Sequence, residues 1–296
     1  MTTVVEFMER YQRRLHAVAA ILLVANAYVW WVVLVQGPPA HASFYFLDVG
    51  QGDSGLVVFP GGVKMLVDGG PGNRVIRELD KILPPNDRYI DLLQLSHAQA
   101  DHFEGLIDVL RRYRVGVFLW NGRPGTAQSF ADLDRAVRES RVPVVSVGEG
   151  DSITIGLSRV DVLSPSVDLR QSKELNDGAV VLRVKTADAS ALYAGDIGMK
   201  VEKALWGKYR DKDLLKADIL KVPHHGSKFS SSKDFIEAVD PAVAAIGVGK
   251  NSYGHPTADA LSRLAEVTGS IFRTDQDGTI KITAYGGKLQ ILKTGK

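Results

Sequence analysis

The 296-residue chain contains no cysteine. This absence excludes disulfide bonds, thiolate metal sites and cysteine nucleophiles. Any metal site in this protein would therefore be built from imidazole, carboxylate, amide and water ligands. The sequence also contains no low-complexity segment and no internal repeat strong enough to interpret.

The chain has little net charge, because 36 lysines and arginines nearly balance 34 acidic residues and leave a formal charge of +2. Bulk charge therefore argues neither for nor against a nucleic-acid partner, which would need a local basic patch. A hydrophobic content of 45% and a charged content of 24% are ordinary for a globular protein. The length allows one large domain or two small ones.

The N-terminal region is typical of a membrane anchor. Residues 1–14 form a short polar lead that ends in three arginines, and residues 15–35 then contain no Asp, Glu, Lys or Arg. About 20 apolar residues cross a bilayer as a helix, and arginines on the near side favour a cytoplasmic N-terminus. We therefore predict a transmembrane signal-anchor over residues 15–36, with the lead in the cytoplasm.

A cleaved signal peptide is the alternative interpretation of this region, because Ala40-His41-Ala42 resembles a small-x-small cleavage site. Residues 37–43 contain a stiff Gly-Pro-Pro linker under either interpretation. Both interpretations place the following residues outside the cytoplasm, either in the cell membrane as a single-pass protein or secreted.

From residue 44 the pattern changes to short apolar runs separated by Gly, Asp and Pro. These runs predict strands over 44–48, 55–59, 63–67, 89–95, 115–119, 142–147, 153–155, 159–163, 178–184, 191–194, 219–222, 242–248, near 271, over 280–284 and 289–292. Longer amphipathic segments predict helices over 75–83, 103–112, 129–139, 200–209, 233–239 and 258–267. Strands run consecutively in each half and helices follow them, so we predict an α/β (α+β) fold, a four-layer αββα sandwich of two mixed sheets over residues 44–296.

A cluster of metal-capable side chains follows one of the predicted buried strands. His97, Asp101 and His102 lie within six residues of one another, at a turn that leaves the strand. Asp196 and the pair His224–His225 also follow predicted strands, where functional sites are usually built on layered folds. We therefore predict a metal or catalytic site at these strand ends.

Several motifs in this order resemble the C-terminal hydrolase domain of ComEC-type DNA-uptake proteins, which has the metallo-β-lactamase fold. The motifs are FLDVGQGDSGLVV at 46–58, LVDGG at 66–70, LSHAQADHFEGL at 95–106, YAGDIG at 193–198, LKVPHHGSKFSSSKDFIEAVDP at 220–241, GVGKNSYGHP at 247–256 and RTDQDGTI at 273–280. The resemblance covers the chain from about Phe44 onward. It implies a centre of one or two divalent ions, Zn or Mn, that activates water for hydrolysis.

The resemblance also implies a role for each ligand. His97 would serve a first ion, Asp101 and His102 a second, and Asp196 would bridge the two. Either His224 or His225 would complete the second site. The family's middle ligand is replaced by Gln99, a weaker ligand, and Asn176 lies where the wider fold has a first-site histidine. We therefore expect one tightly held ion and a second that binds weakly or only with substrate.

Further residues are candidates for contact with the substrate. Asp101 could also orient the attacking water, and His255 is a candidate proton donor or, alternatively, a hydrogen-bonded turn residue. The candidate substrate-binding residues are Ser227, Lys228, Ser230, Ser231 and Asn176. The serines have simple helix capping as their alternative. Asp48, Asp53 and Asp68 lie beside glycines and are interpreted as turn residues that support the ligand histidines.

The leading hypothesis is a membrane-anchored metal-dependent hydrolase, a nuclease or phosphodiesterase with DNA as substrate and a competence-related role. Its expected partners are DNA, the membrane and proteins of the competence machinery. One alternative is a catalytically weak DNA-binding module, for which Gln99 is the motivation. The other is hydrolysis of a different phosphodiester or ester, which the fold alone does not distinguish.

Overall fold

The structure is a computed structural model that describes residues 2–35 and 37–295. Two compact units divide the chain, Met1–Pro39 and Ala40–Lys296. Residues 1, 36 and 296, where the predicted segments 1–14, 15–36 and 44–296 begin or end, lie outside the described residues.

The first unit is a single helix, α1 (Thr2–Val35). The candidate membrane span in this helix, Val4–Trp31, has 28 residues, includes most of the polar lead, and has an apolar window that is not buried in the protein. At 1.5 Å per residue it is about 42 Å long, enough to cross a hydrocarbon core of about 30 Å. Among the described residues this is the one helix long and apolar enough to span a membrane, and a signal sequence would have the same properties. The helix begins earlier than the predicted span because the polar lead is helical too.

The second unit alternates strands and helices along the chain. Its helices are α2 (Arg74–Ile82), α3 (Ala100–Arg112), α4 (Phe130–Ser140), α5 (Val167–Arg170), α6 (Met199–Tyr209), α7 (Lys233–Val239), α8 (Ala258–Ala265) and α9 (Thr274–Asp277). Its strands are β1 (Ser43–Phe46), β2 (Gly55–Val58), β3 (Lys64–Val67), β4 (Tyr89–Gln94), β5 (Arg114–Trp120), β6 (Val144–Ser146), β7 (Ser152–Ile155), β8 (Ser158–Ser164), β9 (Val181–Lys185), β10 (Ser190–Tyr193), β11 (Ile219–Lys221), β12 (Val243–Ile246), β13 (Ile271–Arg273), β14 (Ile280–Tyr285) and β15 (Lys288–Lys293).

The strands form two sheets that confirm the predicted αββα sandwich. The eight-stranded sheet has the order β15-β14-β1-β2-β3-β4-β5-β6, and the seven-stranded sheet has the order β13-β12-β11-β10-β9-β8-β7. The C-terminal hairpin returns to the first sheet, where β14 pairs antiparallel with β1 and Phe46 lies opposite Ile280. The first sheet therefore combines strands that are distant in sequence, whereas neighbouring strands of the second sheet are consecutive along the chain.

The core lies in three apolar layers. Alternate residues of β1 are buried, so Phe44 and Phe46 face the second sheet and pack in one cluster with Val160 and Leu182. Helices α2, α3 and α4 cover the outer face of the first sheet. Helices α6, α7 and α8 cover the outer face of the second. Burial on both faces leaves the loops at the strand ends as the places for polar chemistry.

One of these loops packs tightly on the start of α3. The backbone N–H of Gly69 donates to the carbonyl oxygen of His102 over 2.7 Å, and Gly105 N–H donates to Gly70 O over 2.9 Å. A Cβ atom at Gly105 would lie 2.1 Å from the carbonyl oxygen of Gly69. Glycine at this position therefore allows the loop to approach the first turn of α3, which carries part of the candidate site.

We predict opposite effects of alanine at two helical glycines. Gly105→Ala is expected to destabilise the fold by roughly 1–3 kcal/mol, because the new methyl group clashes with backbone that cannot move away cheaply. Gly207→Ala in α6, where a Cβ would meet nothing within 4 Å, is expected to be neutral or stabilising by up to about 1 kcal/mol. Urea unfolding of both variants measures the difference. Equal free energies of unfolding would contradict the close approach.

Candidate metal centre

The polar residues that were predicted to form a site do lie together at one edge of the sandwich. His97 follows β4, Asp196 follows β10, and the 3₁₀ turn Pro223–Gly226 follows β11. Strands β10, β11 and β12 are parallel neighbours, so their carboxyl ends reach the same edge of the second sheet. This is where open α/β sheets place their ligands.

Two buried imidazoles at this edge are held in orientation by hydrogen bonds from their Nδ1 atoms. His102 Nδ1 donates to Asp68 Oδ2 over 2.9 Å, and His225 Nδ1 donates to the carbonyl oxygen of Gly247 over 2.7 Å. Neither acceptor has a proton to give, so the proton of each neutral ring lies on Nδ1. The Nε2 lone pairs are therefore directed into the site, as in metal-ligating histidines.

These two Nε2 atoms converge on carboxylate oxygens at a spacing that suits a shared cation. Each lies 3.3 Å from Asp196 Oδ2, and His225 Nε2 also lies 3.3 Å from Asp101 Oδ2. Both atoms are buried without a hydrogen-bond partner among the described residues. Ligand atoms at about 2.1 Å from one tetrahedral ion are about 3.4 Å apart, whereas charge-assisted hydrogen bonds are about 2.8 Å long. The geometry fits an ion better than a hydrogen bond.

The electrostatics of this cluster also favour a cation. Burial lowers the pKa of His102 and of His225, but nearby carboxylates, Asp196 above all, raise both values well above the ordinary value. Burial raises the pKa of Asp196, but His225, His102 and Lys221 lower it to well below its ordinary value. The buried carboxylates thus attract positive charge strongly, whether it comes as protons or as a metal ion.

Asp53 and Lys221 form a buried pair behind the imidazoles, and sequence reasoning did not identify this pair. Asp53 is one of four buried residues, with His102, Asp196 and His225, whose potential ligand atoms all lie within 4.8 Å. However, Asp53 is on the Nδ1 side of both rings, 3.5 Å from His225 Nδ1 and 4.0 Å from His102 Nδ1. Its Oδ2 forms an ion pair with Lys221 Nζ. We therefore assign it to supporting the imidazoles rather than to the ion.

Lys221 is a cation buried inside the cluster. Its ammonium donates to Gly195 O over 2.8 Å and lies 3.4 Å from Asp196 Oδ1, the oxygen that faces away from the histidines. Burial lowers its pKa, but Asp53 and Asp196 raise it further, so the net shift is upward and the ammonium stays charged. Because Lys221 binds Oδ1, Asp196 has only Oδ2 to offer to an ion beside the imidazoles.

His97 and Gln99 differ from this cluster because their side chains are hydrogen-bonded to each other. His97 Nε2 donates to Gln99 Oε1 over 3.0 Å. Burial and the neighbouring His102 lower the pKa of His97 to about 4, so the ring is neutral at pH 7. A neutral ring that donates through Nε2 has no lone pair there for a metal. Where the resemblance implied a first ion, the structure has a satisfied hydrogen bond between two side chains.

The structure distinguishes the members of the His224–His225 pair. His225 is 3% exposed and points at the cluster, whereas His224 is 31% exposed and its Nε2 lies 4.0 Å from Asp196 Oδ2. Both residues have left-handed backbone, with φ of 50° and 53°. This conformation is uncommon outside glycine and costs energy.

An open cleft leads from solvent to the cluster. Its lining residues are Gln51, Pro71, Gln99, Ala100, Asp101, Asp196, His224, His225, Tyr253 and His255. Asp101 is partly exposed on its floor. Burial raises the pKa of Asp101, but His102 and His225 lower it, to about 2 overall. Burial and the nearby His224 and His225 lower the pKa of His255, so its ring is neutral at pH 7.

The serines after the histidine pair face inward, which argues against the phosphate-binding role expected for Ser230 and Ser231. Both are fully buried. Ser230 Oγ donates to the carbonyl oxygens of Pro223 and Ser227, and the Glu202 carboxylate accepts the backbone N–H groups of Ser231 and Ser232 at the start of α7. The helix end that would bind an anion is thus already capped by a carboxylate of this chain.

The other candidate substrate-binding residues differ in burial and in their hydrogen bonds. Ser227 is buried, and its Oγ accepts the N–H of Phe229, while Lys228 is exposed with its ammonium over the Phe229 ring at 5.0 Å. Asn176 lies in a short 3₁₀ helix and is absent from the residues that line the cleft. Its Oδ1 is buried without a hydrogen-bond partner among the described residues. Lys228 is therefore the exposed cation of this group.

Comparison with known proteins identifies relatives along most of the chain. The β-lactamase superfamily domain matches residues 64–244. ComE operon protein 3 of Bacillus subtilis is 31% identical over 253 residues, which cover 79% of this chain and 32% of that protein. Competence protein ComA of Neisseria gonorrhoeae is 30% identical, with 90% of this chain and 37% of that protein covered. The chain thus spans about a third of the length of these curated relatives.

Solved structures share the fold at low sequence identity. The metallo-β-lactamase fold protein YhfI from Bacillus subtilis has a TM-score of 0.55 at 11% identity, covering 81% of this chain and 99% of that one. Igni18, a metallo hydrolase from the archaeon Ignicoccus hospitalis, has a TM-score of 0.53 at 14% identity, covering 81% of this chain and 98% of that one. Both comparisons support the αββα fold.

We predict that the protein retains one tightly bound ion when it is loaded with Mn²⁺ or Zn²⁺ and passed through a desalting column. His225→Asn is expected to lose that ion, whereas His224→Asn keeps it. Asparagine is suitable at both positions because it tolerates left-handed backbone. Elemental analysis of the eluted protein measures the number of metal ions per protein chain, and circular dichroism checks that each variant is folded.

The same measurement tests the interpretation of Gln99. Gln99→His is expected to raise the ratio towards two ions, because imidazole is a stronger ligand and because His97 Nε2 is no longer engaged by an amide. Two tightly bound ions in the unmodified protein, or an unchanged ratio in folded His225→Asn, would contradict the account.

Proposed function

Because the chain belongs to the β-lactamase superfamily, we propose that its second unit is a hydrolase that cleaves phosphodiesters of nucleic acid at a divalent-metal centre. The proposed ligands are Asp101, His102, Asp196 and His225. The observation that carries the proposal is that two Nε2 atoms, which have no hydrogen-bond partner among the described residues, converge with the carboxylates of Asp101 and Asp196 beside an open cleft. Relatives named for competence support nucleic acid as the substrate class.

The proposed mechanism assigns separate tasks to the residues at the cleft. A divalent cation at the centre would supply a Lewis acid and lower the pKa of water towards about 7. Asp101 is ionised at neutral pH and reaches the cleft, so it accepts a hydrogen bond from the attacking water and orients it. His255 lines the same cleft, and its neutral ring donates a hydrogen bond to the leaving oxygen, which takes its proton from water. His102 and His225 stay fixed through their Nδ1 hydrogen bonds.

Mn or Zn remain the proposed ions. Two carboxylates and two imidazoles form a mixed oxygen and nitrogen set that both ions accept. The oxygen ligands favour Mn²⁺ more than an all-histidine set would. Purification from cells without chelator, followed by elemental analysis, identifies the ion that the protein carries. Neither element above background would contradict this proposal.

A nucleic-acid-binding module without turnover is the second candidate, and the His97–Gln99 hydrogen bond favours it. This bond occupies Nε2 of His97, the residue that the family resemblance assigns to a first ion. Retention of DNA without cleavage under every metal condition would support this candidate. If the protein cleaved a nucleotide, a lactam or a cell-wall phosphodiester in preference to DNA, that compound class would replace DNA as the proposed substrate.

We also propose that α1 anchors the protein in the cytoplasmic membrane with the catalytic unit outside the cytoplasm and near the competence machinery. The support is the apolar run of α1 and the three arginines that precede it. Protease added to intact spheroplasts is expected to digest the catalytic unit and to leave a short membrane-protected fragment. Digestion only after lysis would contradict this orientation.

We predict that Asp196→Asn lowers cleavage of single-stranded DNA by roughly a thousandfold or more, because the centre loses its shared carboxylate. The matched control is Asp211→Asn, which changes a carboxylate with an 86% exposed side chain away from the cleft. Initial rates with Mn²⁺ or Zn²⁺, and with excess chelator, provide the measurement. Cleavage that survives both Asp196→Asn and the chelator would contradict a metal-dependent reaction at this centre.

A further inference from the structure

A row of aromatic rings forms one wall of the cleft. The ring centroids of Tyr253 and His255 are 5.8 Å apart, and those of His255 and His224 are 5.7 Å apart. His224 in turn lies 4.0 Å, through its Nε2, from Asp196 Oδ2. Such spacings are typical of aromatic pairs in contact. The wall therefore runs from solvent to the proposed metal centre without a break.

The outermost ring, Tyr253, is 73% exposed. Its side chain has no hydrogen bond to another residue in the described part of the chain, and only its backbone N–H is bonded, to Asn251. The ring therefore contributes little to the core or to a buried polar network. An exposed aromatic face beside a polar cleft is a surface on which a planar ligand can stack.

The loop that carries Tyr253 is held in place by one side chain. Asn251 Nδ2 donates to the carbonyl oxygens of Gly249 and His255, over 2.9 and 2.8 Å. Asn251 Oδ1 accepts the backbone N–H groups of Tyr253 and His255, over 3.1 and 3.0 Å. These four bonds fix the backbone that carries the ring before any ligand arrives, which lowers the entropy cost of binding.

We propose that Tyr253, backed by His255, is a stacking platform for an unpaired nucleobase that flanks the phosphodiester at the metal centre. This inference rests on the proposed function and narrows its substrate to single-stranded nucleic acid or unpaired ends, because both faces of a base inside a duplex are already stacked on neighbouring bases. Apart from Pro71 and Ala100, the rest of the cleft lining is polar or charged and includes Gln51, Gln99 and Asp101. Lys250, exposed in the same loop, suits the backbone phosphates.

The test compares two ligands that differ only in their bases. One is a fluorescently labelled oligothymidylate, and the other is an abasic oligomer with the same sugar-phosphate backbone. Binding to the full-length metal-loaded protein is followed by fluorescence anisotropy, with ligand integrity checked by electrophoresis. The unmodified protein is expected to bind oligothymidylate about 5- to 150-fold more tightly, the range for one base stacked on an aromatic side chain.

Three variants assign this preference to the ring. Tyr253→Ala is expected to abolish the preference, and Tyr253→Phe to keep it, because the aromatic face and not the hydroxyl carries the contact. Tyr285→Ala, which removes a 67% exposed tyrosine outside the cleft lining, is the matched control and is expected to change nothing.

Equal binding of the two ligands by the unmodified protein, or a preference that survives in Tyr253→Ala, would overturn the inference. The cleavage assay is independent of this result. A protein that shows the base preference without cleavage would overturn the proposed hydrolase and keep the platform. A protein that cleaves DNA without the base preference would overturn the stacking platform and keep the proposed hydrolase.

Discussion

Buried negative charge at one edge of the sandwich is the constraint on which the site depends. Asp53, Asp68 and Asp196 are almost fully buried and Asp101 is partly buried, all within reach of the same two imidazoles. Among the described residues that contact these carboxylates, Lys221 is the one buried lysine or arginine. Buried carboxylates without compensating positive charge cost several kcal/mol each, so the cluster needs positive charge beyond Lys221, either as protons on the two imidazoles or as a metal ion. A divalent cation beside His102 and His225 meets that need.

The histidines of the site fall into two groups that differ in the hydrogen bonding of their Nε2 atoms. In His102 and His225, Nδ1 is bonded and Nε2 lacks a hydrogen-bond partner among the described residues, so both Nε2 lone pairs are available to a cation. Around His97, the amide of Gln99 satisfies Nε2 directly. Substitution of one residue in the family motif thus converts a potential ligand pair into a hydrogen bond. The account therefore has one ion where the resemblance implied one or two.

Much of the fold could be predicted from sequence because its signals are local. Apolar runs and turn residues gave the strands, and the motif between β4 and α3 placed His97, Asp101 and His102 correctly at a strand end. Contacts between distant segments could not be predicted in this way. The return of β14 to β1, the pairing of Lys221 with Asp53, and the capping of α7 by Glu202 depend on tertiary packing. The difference between His224 and His225 depends on left-handed backbone, which residue type alone does not specify.

The central claim is that one divalent ion binds between the Nε2 atoms of His102 and His225. Crystals of the Mn²⁺-loaded protein, with diffraction data collected on either side of the manganese absorption edge, test it most directly. The account predicts one strong anomalous peak in contact with those two nitrogens and with oxygens of Asp101 and Asp196. A peak at His97, or imidazoles bonded directly to the carboxylates with no peak between them, would contradict the claim.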